Sequence, residues 1–192
     1  GWADLNGWLG VRYLCRFVHA AISATMTSDA NQAPDGWQNA FSYIRRRGRF
    51  TQAQARAYEN LTTRYRVAAA DCSHRSEPVG LEIGFGMGAQ LLAWAEQCPD
   101  WYLCGVELYQ PGIGAMLTRL HRRQLSNVGL IDLPAQQVIA AMAADTLSEV
   151  RIFFPDPWPK KRHFKRRLVE QEFLERLYAV LKDDAVVRLA TY

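Results

Sequence analysis

From residue 79 onward, short apolar segments alternate with longer segments whose apolar residues recur at helical spacing. In the last of the longer segments, the apolar residues are Val169, Phe173, Leu177 and Leu181. Such alternation predicts an α/β fold with a doubly wound, mostly parallel sheet, helices on both faces and right-handed crossovers. The predicted strands are residues 79–83, 101–107, 127–131, 150–154 and 185–190, and the predicted helices between them are residues 88–97, 111–124, 135–143 and 167–181.

The first part of the chain has a different character. Residues 27–40 are polar and contain Pro34 and Gly36, which is typical of a disordered linker. We interpret residues 1–40 as a disordered or non-native tail and residues 41–192 as the domain. This division suits a chain of 192 residues.

Three further local features can be predicted. Thr51 is a candidate N-cap for a helix over residues 52–66, and the polar residues 71–78 indicate a loop. Because Tyr192 comes directly after the fifth predicted strand, we expect a sheet that lacks C-terminal elements and ends in an exposed edge.

Composition argues against several classes of protein. No apolar run reaches the roughly 18 residues needed to cross a bilayer, and Arg12, Arg16 and His19 interrupt the apolar stretch that could suggest a signal peptide. The four cysteines have neither C-x-x-C nor zinc-site spacing. We therefore expect a cytoplasmic protein with reduced thiols, no metal and no membrane partner. Monomer and homodimer both remain open.

A glycine-rich loop follows the first predicted strand. Residues 81–88 read LEIGFGMG, so Gly84, Gly86 and Gly88 lie between a strand and a helix, where glycine permits a tight turn and close approach to a ligand. Glu82 precedes the first glycine by two residues. A carboxylate there is unfavourable for the pyrophosphate of a dinucleotide, but it suits the cationic groups of S-adenosylmethionine. The alternative is a tight turn that binds nothing.

Glu107 ends the second predicted strand, 19 residues beyond Gly88. In doubly wound folds, an acid about 20 residues beyond the glycines accepts hydrogen bonds from ribose hydroxyls. The alternative is an exposed surface glutamate. Together with the glycine loop, Glu107 favours a nucleoside cofactor.

A proline-rich segment, FFPDPWPK at residues 153–160, follows the fourth predicted strand. Three prolines in five residues cannot continue a strand or a helix. They form a stiff loop that fixes Asp156 and Trp158, and an acid beside a planar ring suits the positioning of a nucleic-acid base. The alternative is a structural turn with Trp158 filling the core.

Positive charge is concentrated in two places, although the net charge is only +4. Residues 160–167 read KKRHFKRR and open a predicted helix, where cations oppose the helix dipole. A polyanionic partner would offset that cost, with Lys and Arg contacting phosphates. The arginines of residues 45–49 are a second candidate phosphate contact, or else a flexible basic tail.

Five segments together resemble the bacterial tRNA (guanine-N7)-methyltransferases over about residues 41–191. They are RRGRFT at 46–51, the glycine loop at 81–88, GVE at 105–107, PGIGA at 111–115 and FFPDPWPKKRHFKRR at 153–167. We interpret the chain as a truncated or divergent member.

The resemblance implies a Rossmann-like class I fold and transfer of a methyl group from S-adenosylmethionine to guanine N7 in the tRNA variable loop. It implies that Asp156 is the catalytic acid beside both cofactor and guanine. The implied cofactor contacts are Glu82, Gly84, Gly86, Gly88, Glu107 and Asp156. The implied substrate and RNA contacts are Lys160, Arg162, His163, Phe164, Lys165, Arg166 and Arg167.

Two positions depart from the family pattern. The family has an aspartate near the adenine after the third strand, and the matching residue here is Pro134, with Asp132 two residues earlier. The family has Thr-Asp after the fifth strand, where this chain has Thr191 and Tyr192.

These departures leave two alternatives open: a catalytically impaired RNA-binding paralogue and an amino-methyltransferase acting on another RNA base. Glu82 and the G-x-G-x-G spacing argue against a third alternative, a nicotinamide dehydrogenase.

Overall fold

The computed structural model describes residues 12–13, 48–158, 160, 162 and 167–191. Apart from residues 12–13, the predicted tail over residues 1–40 lies outside the described residues. None of the described helices is long and apolar enough to cross a membrane.

Six strands of the described part of the chain form one sheet in the spatial order β1-β6-β5-β2-β3-β4. They are β1 (Arg12–Tyr13), β2 (Val79–Ile83), β3 (Tyr102–Val106), β4 (Val128–Ile131), β5 (Leu147–Phe153) and β6 (Leu181–Ala190). Strands β2 to β6 run parallel to one another, which confirms the predicted sheet. Strand β1 pairs antiparallel with Arg188 and Leu189 of β6, so at these residues the predicted exposed edge is covered.

Within the described ranges, five helices and one short 3-10 helix accompany the strands. They are α1 (Gln52–Tyr65), the 3-10 helix (Ala69–His74), α2 (Ala89–Gln97), α3 (Gln110–Arg123), α4 (Ala135–Ala140) and α5 (Gln171–Val180). The predicted N-cap of α1 is confirmed. The hydroxyl of Thr51 accepts from Gln54 N–H while the Gln54 side chain accepts from Thr51 N–H, at 3.2 and 2.8 Å.

Several predicted boundaries near the last two strands were wrong. Strand β5 begins at Leu147, three residues early, because Leu147 pairs with both Val79 and Leu181. The helix predicted over residues 167–181 begins only at Gln171 and ends at Val180, where the backbone becomes extended and β6 begins. The apolar stripe continues through Leu181, which packs against the same core as the helix, so periodicity could not mark the helix end.

The predicted loop over residues 71–78 is partly helical. The 3-10 helix reaches His74, and the Asp71 carboxylate accepts a hydrogen bond from Ala68 N–H at its start. The sulfur atoms of Cys72 in this helix and Cys104 of β3 lie against each other, and Cys98 is a free thiol.

The core has two halves, one on each face of the sheet. One half joins the odd-numbered residues of β2 to α4 and α5, with Phe173 and Leu177 fully buried. The other half joins α1, α2 and α3, with Leu91 and Trp94 at its centre. Both faces of β2 are therefore covered, as its uniformly buried residues require.

Two glycines allow α3 to pack closely on its surroundings. A Cβ atom on Gly112 would lie 2.2 Å from the carbonyl oxygen of Gly86, in the loop after β2. A Cβ atom on Gly114 would lie 2.7 Å from the carbonyl oxygen of Gln54 in α1. Both obstacles are backbone atoms, so a side chain at either position would push a whole segment away.

Gly114→Ala is expected to destabilise the protein although alanine is the better helix former. Overpacking against the α1 backbone should lower the free energy of unfolding by about 1–3 kcal/mol, as measured by urea denaturation. Asn60→Ala, on the exposed surface of α1, is the control and should change stability by less than about 0.5 kcal/mol. Unchanged or increased stability of Gly114→Ala would contradict the close approach.

Candidate active site

A cleft of about 560 Å³ lies at the carboxyl ends of β2, β3 and β5. Strand β2 is the point from which the chain continues to β3 on one side and reaches β5 on the other. Ligands of doubly wound sheets bind at such a switch in strand order. The cleft has the size of a small-molecule site.

The glycine loop forms one wall of the cleft through Gly84 and Gly86. Their φ angles are 75° and 56°, a region that side chains rarely adopt. A Cβ atom on either would meet nothing within 4 Å, so the backbone conformation and not crowding requires glycine there. Gly88 has φ 78° as the N-cap of α2, but a Cβ atom there would strike Met116, and it does not line the cleft.

Glu107 lines the cleft and also braces it. Its Oε2 atom accepts from Gly86 N–H at 2.7 Å, and its Oε1 atom accepts from Leu108 and Tyr109 N–H at 2.7 and 2.9 Å. The carboxylate therefore joins the glycine loop to the end of β3, a role that sequence reasoning missed. A carboxylate has about four acceptor sites, so acceptor capacity remains for a ligand hydroxyl.

Glu82 lies behind the cleft and not in its wall. Its side chain is buried, with 3% relative exposure, and its Oε2 atom has no hydrogen-bond partner among the described residues. Burial raises the pKa of Glu82 to about 7, and the nearby guanidinium of Arg151 offsets only part of that effect. The structure thus retains a carboxylate in an apolar setting directly before the glycine loop.

The proline-rich loop forms the opposite wall. Phe154 and Trp158 have φ angles of 50° and 38°, which are strained for residues with large side chains. Two hydrogen bonds hold them: Phe154 N–H donates to Ala190 O at 2.8 Å, and the Arg167 guanidinium donates to Trp158 O at 3.5 Å. Between them, Asp156 is an exposed residue that lines the cleft.

Trp158 also lines the cleft and is half-buried. It belongs to neither half of the core. The interpretation of Trp158 as a core-filling side chain is therefore wrong for the described structure.

One of the two positions that depart from the family pattern, Pro134, also lies in the cleft. Pro134 lines it as the N-cap of α4. Asp132 is not part of the lining, and its carboxylate pairs with the Arg66 guanidinium at 2.6 Å. Asp132 therefore does not supply the acid that Pro134 lacks.

The predicted RNA-contacting residues are only partly described. Lys160 and Arg162 are exposed, and Arg167 is half-buried. His163, Phe164, Lys165, Arg166 and Tyr192 lie outside the described residues. No group of three His, Cys, Asp or Glu residues in the described part of the chain is placed to hold a metal ion.

Two features of the cleft mouth were not anticipated. Leu133 and Phe154 are unusually exposed for large apolar residues, at 39% each, and both line the cleft. Gly48 packs against Tyr109, another lining residue, since a Cβ atom on Gly48 would lie 2.5 Å from the Tyr109 ring. The exposed Arg49 is the next residue along the chain, and nothing in the local sequence could have indicated the contact of Gly48.

Comparison with known proteins adds three findings. A family model described as a putative methyltransferase matches residues 76–192. The tRNA (guanine-N(7)-)-methyltransferase of Nitrosococcus oceani is 42% identical over 159 residues, which are 78% of this chain and 67% of that protein. The protein of the same name from Burkholderia mallei is 40% identical over 182 residues, which are 91% of this chain and 68% of that protein.

The chain thus spans about two thirds of the length of these relatives. Among solved structures, one described as an antibiotic-related methyltransferase aligns with a TM-score of 0.48 and 14% identity, over 76% of this chain and 67% of that one.

The buried carboxyl of Glu82 predicts a specific pH dependence of stability. Its folded pKa of about 7 exceeds the ordinary value of 4.5, so between these values the folded protein retains a proton that the unfolded chain releases. The free energy of unfolding therefore falls as pH rises from 4.5 to 7. Glutamine does not ionise, so the free energy of unfolding of Glu82→Gln should not fall in this way. Relative to that of the wild type, it should rise by about 3 kcal/mol between pH 4.5 and pH 8.

Urea denaturation of both proteins at several pH values measures this difference. Asp100→Asn, an exposed carboxyl at the opposite edge of the sheet, is the matched control and should show no comparable trend. A stability difference for Glu82→Gln that stays constant across the range would show that Glu82 titrates normally.

Proposed function

The chain belongs to the tRNA (guanine-N(7)-)-methyltransferase family, and from this premise we propose that its cleft binds S-adenosylmethionine and methylates N7 of a guanine in tRNA. The family expected from the five sequence segments is thus confirmed, as is the Rossmann-like doubly wound fold. The variable loop is the proposed target within tRNA. Since the proposed substrate is tRNA, we also propose that the protein acts in the cytoplasm.

One observation carries the proposal: a single cleft joins the glycine loop, Glu107 and Asp156, which are far apart in the sequence. A nucleoside cofactor with cationic groups fits this set of residues. Gly84 and Gly86 leave open space for close approach, Glu107 presents an acceptor, and Leu108 and Leu133 are apolar surfaces suited to a planar base.

Each candidate cofactor contact has a distinct proposed role. Glu107 would accept from ribose hydroxyls while keeping its bonds to the loop backbone. Glu82 would act from behind the loop by ionising when a cationic ligand binds, since a nearby positive charge favours its carboxylate form. Gly88 would contribute indirectly, by starting α2. Pro134 would contribute only an apolar surface, because its side chain has no hydrogen-bonding atom.

The reaction depends on the alignment of guanine N7 with the methyl group more than on proton transfer. S-adenosylmethionine supplies an electrophilic methyl group on a sulfonium. Guanine N7 would attack that methyl group with an in-plane lone pair while the methyl–sulfur bond breaks and its electron pair stays on sulfur, which leaves a neutral thioether. N7 loses no proton, so the protein needs no general base. Positive charge develops on the guanine ring as N7 accepts the methyl group. A carboxylate held beside the ring stabilises that charge.

Asp156 is the residue placed to meet these demands. Its loop is stiffened by Pro155 and Pro157, and the strained neighbours Phe154 and Trp158 are tied to β6 and to Arg167. We therefore propose that Asp156 orients the guanine and stabilises its charge. Trp158 would either stack on the base or support the loop.

The RNA is proposed to bind across the basic side of the cleft. Lys160 and Arg162 are exposed directly after the Asp156 loop, and the exposed Arg49 follows Gly48, which packs against Tyr109. Lys and Arg contacts to phosphates would supply affinity that depends on salt but little on sequence. Within the same segment, His163, Phe164, Lys165 and Arg166 are proposed to add to this surface.

Pro134 supports a second candidate function, that of a paralogue that binds RNA without catalysis. The described cleft has no carboxylate at this position, and Asp132 is already paired with Arg66. Mass spectrometry of unmodified tRNA incubated with the protein and isotopically labelled S-adenosylmethionine tests both. Label on guanine N7 supports the proposed activity, whereas bound tRNA without label supports the paralogue.

Asp156→Ala should lower methyl transfer at least about 100-fold while tRNA binding persists, because the variant loses orientation and charge stabilisation. Initial rates and gel-shift affinities measured on the same preparations would test this. Asp100→Ala, at the opposite edge of the sheet, is the matched control and should retain full activity. Near-normal turnover of Asp156→Ala would remove Asp156 from the reaction.

Lys160→Ala and Arg162→Ala should each weaken tRNA binding and reduce the slope of log affinity against log salt by about one. Arg122→Ala removes an equally exposed charge at the far end of α3 and should leave the slope unchanged. Equal slopes for all three variants would mean that the segment after Asp156 does not contact phosphate.

A further inference from the structure

A row of charged residues crosses the sheet beneath α2. Glu82 of β2 pairs in register with Arg151 of β5, which in turn pairs with Arg188 of β6. Residues in register on neighbouring strands point to the same face, so two guanidinium groups lie side by side. Such like charges repel unless a carboxylate lies between them.

Glu149 supplies that carboxylate. Its Oε1 atom accepts from the Nε atoms of both Arg151 and Arg188, each at 2.7 Å. The Glu149 side chain is largely buried, at 9% relative exposure, and Arg151 is also mostly shielded, so solvent screens these ion pairs only weakly.

Trp94 fixes Arg151 from above. The guanidinium carbon of Arg151 lies 3.7 Å from the centre of the Trp94 ring, a cation–π distance. Trp94 can pack this closely against the sheet because Gly80 of β2 has no side chain. A Cβ atom there would lie 2.4 Å from the indole ring. Arg151 is thus held by a hydrogen bond on one side and an aromatic face on another.

The consequence falls on Glu82. It lies opposite Arg151 on the neighbouring strand, yet one of its oxygens is buried without a hydrogen-bond partner among the described residues. A buried unpaired carboxylate is costly, and its natural partner would be the arginine opposite it. The arginine is engaged by Glu149 and Trp94 instead.

We propose that Glu149 is a positioning residue for cofactor binding: by holding Arg151, it keeps Glu82 out of an ion pair, so that the Glu82 carboxyl can ionise towards the cationic groups of S-adenosylmethionine when the cofactor binds. This inference rests on the proposed function of the cleft. Without Glu149, Glu82 is the carboxylate that remains opposite Arg151 in the row, and Arg151 turns to it. The negative charge is then neutralised.

Calorimetric titration of the full chain with two ligands tests this. S-adenosylmethionine carries a sulfonium and an ammonium group, whereas 5′-methylthioadenosine shares the nucleoside but has neither cation. Glu149→Gln should weaken S-adenosylmethionine binding about tenfold, which is one unit of log Kd, and leave 5′-methylthioadenosine binding within about twofold. A purely structural defect would weaken both ligands together.

The double variant Glu149→Gln/Arg151→Met separates charge competition from loss of structure. With the competing guanidinium gone, S-adenosylmethionine affinity should return to within about threefold of the wild type. Arg151→Met alone, which keeps Glu149, should bind at least as tightly as the wild type and serves if Glu149→Gln does not fold. Arg123→Met, at an exposed ion pair with Glu96, is the matched control and should change neither affinity.

The outcomes are distinguishable. Wild-type protein that binds neither ligand would refute the proposed function itself. Wild-type binding with unchanged affinity in Glu149→Gln, with equal loss for both ligands, or with no recovery in the double variant would overturn the role of Glu149. Weaker S-adenosylmethionine binding by Arg151→Met would overturn it as well.

Discussion

The carboxylate of Glu107 accepts hydrogen bonds from Gly86 in one loop and from Leu108 and Tyr109 in another. This small bridge fixes the distance between the carboxyl ends of β2 and β3, and the cleft has its shape because of it. Gly112 makes the bridge possible, since its missing side chain lets α3 begin against the carbonyl of Gly86. The glycine loop, Glu107 and the start of α3 therefore form one structural unit, and this unit forms the side of the cleft proposed to bind the cofactor.

The three carboxylates around the cofactor wall differ in environment, and their proposed roles differ accordingly. Glu107 accepts three backbone hydrogen bonds and retains acceptor capacity for a ligand hydroxyl. Glu82 is buried, and its pKa is raised to about 7 because water no longer solvates its charge. Asp156 is exposed at the cleft and held by a stiff loop. A cationic ligand stabilises the charged form of Glu82 when it binds, so the ionisation of Glu82 is the one most favoured by cofactor binding. Asp156, by contrast, is accessible to an incoming base.

Sequence reasoning recovered what is local and periodic. Alternating apolar segments predicted the parallel sheet, and the glycine and proline motifs lie next to strands, so the edge at which they meet could be foreseen. Boundaries failed where strand pairing overrides periodicity, as at Leu147 and Leu181. The role of Gly112 and the contact between Gly48 and Tyr109 depend on segments distant in the chain. Glu149 was equally hidden, because a single glutamate in an apolar strand carries no sign of the two arginines it joins.

The proline loop makes the last strand part of the site. Phe154 and Trp158 each hold a strained backbone conformation, which costs on the order of 1–3 kcal/mol and persists only where surrounding contacts impose it. One such contact is the hydrogen bond from Phe154 N–H to Ala190, at the end of β6. Strand β6 is in turn joined to β5 by Arg188 and Glu149 as well as by backbone pairing. The position of Asp156 therefore depends on β5 and β6. The same two strands hold Arg151 away from Glu82. The proline-rich loop on one side of the cleft and the carboxyl group behind the glycine loop on the other thus depend on one pair of strands.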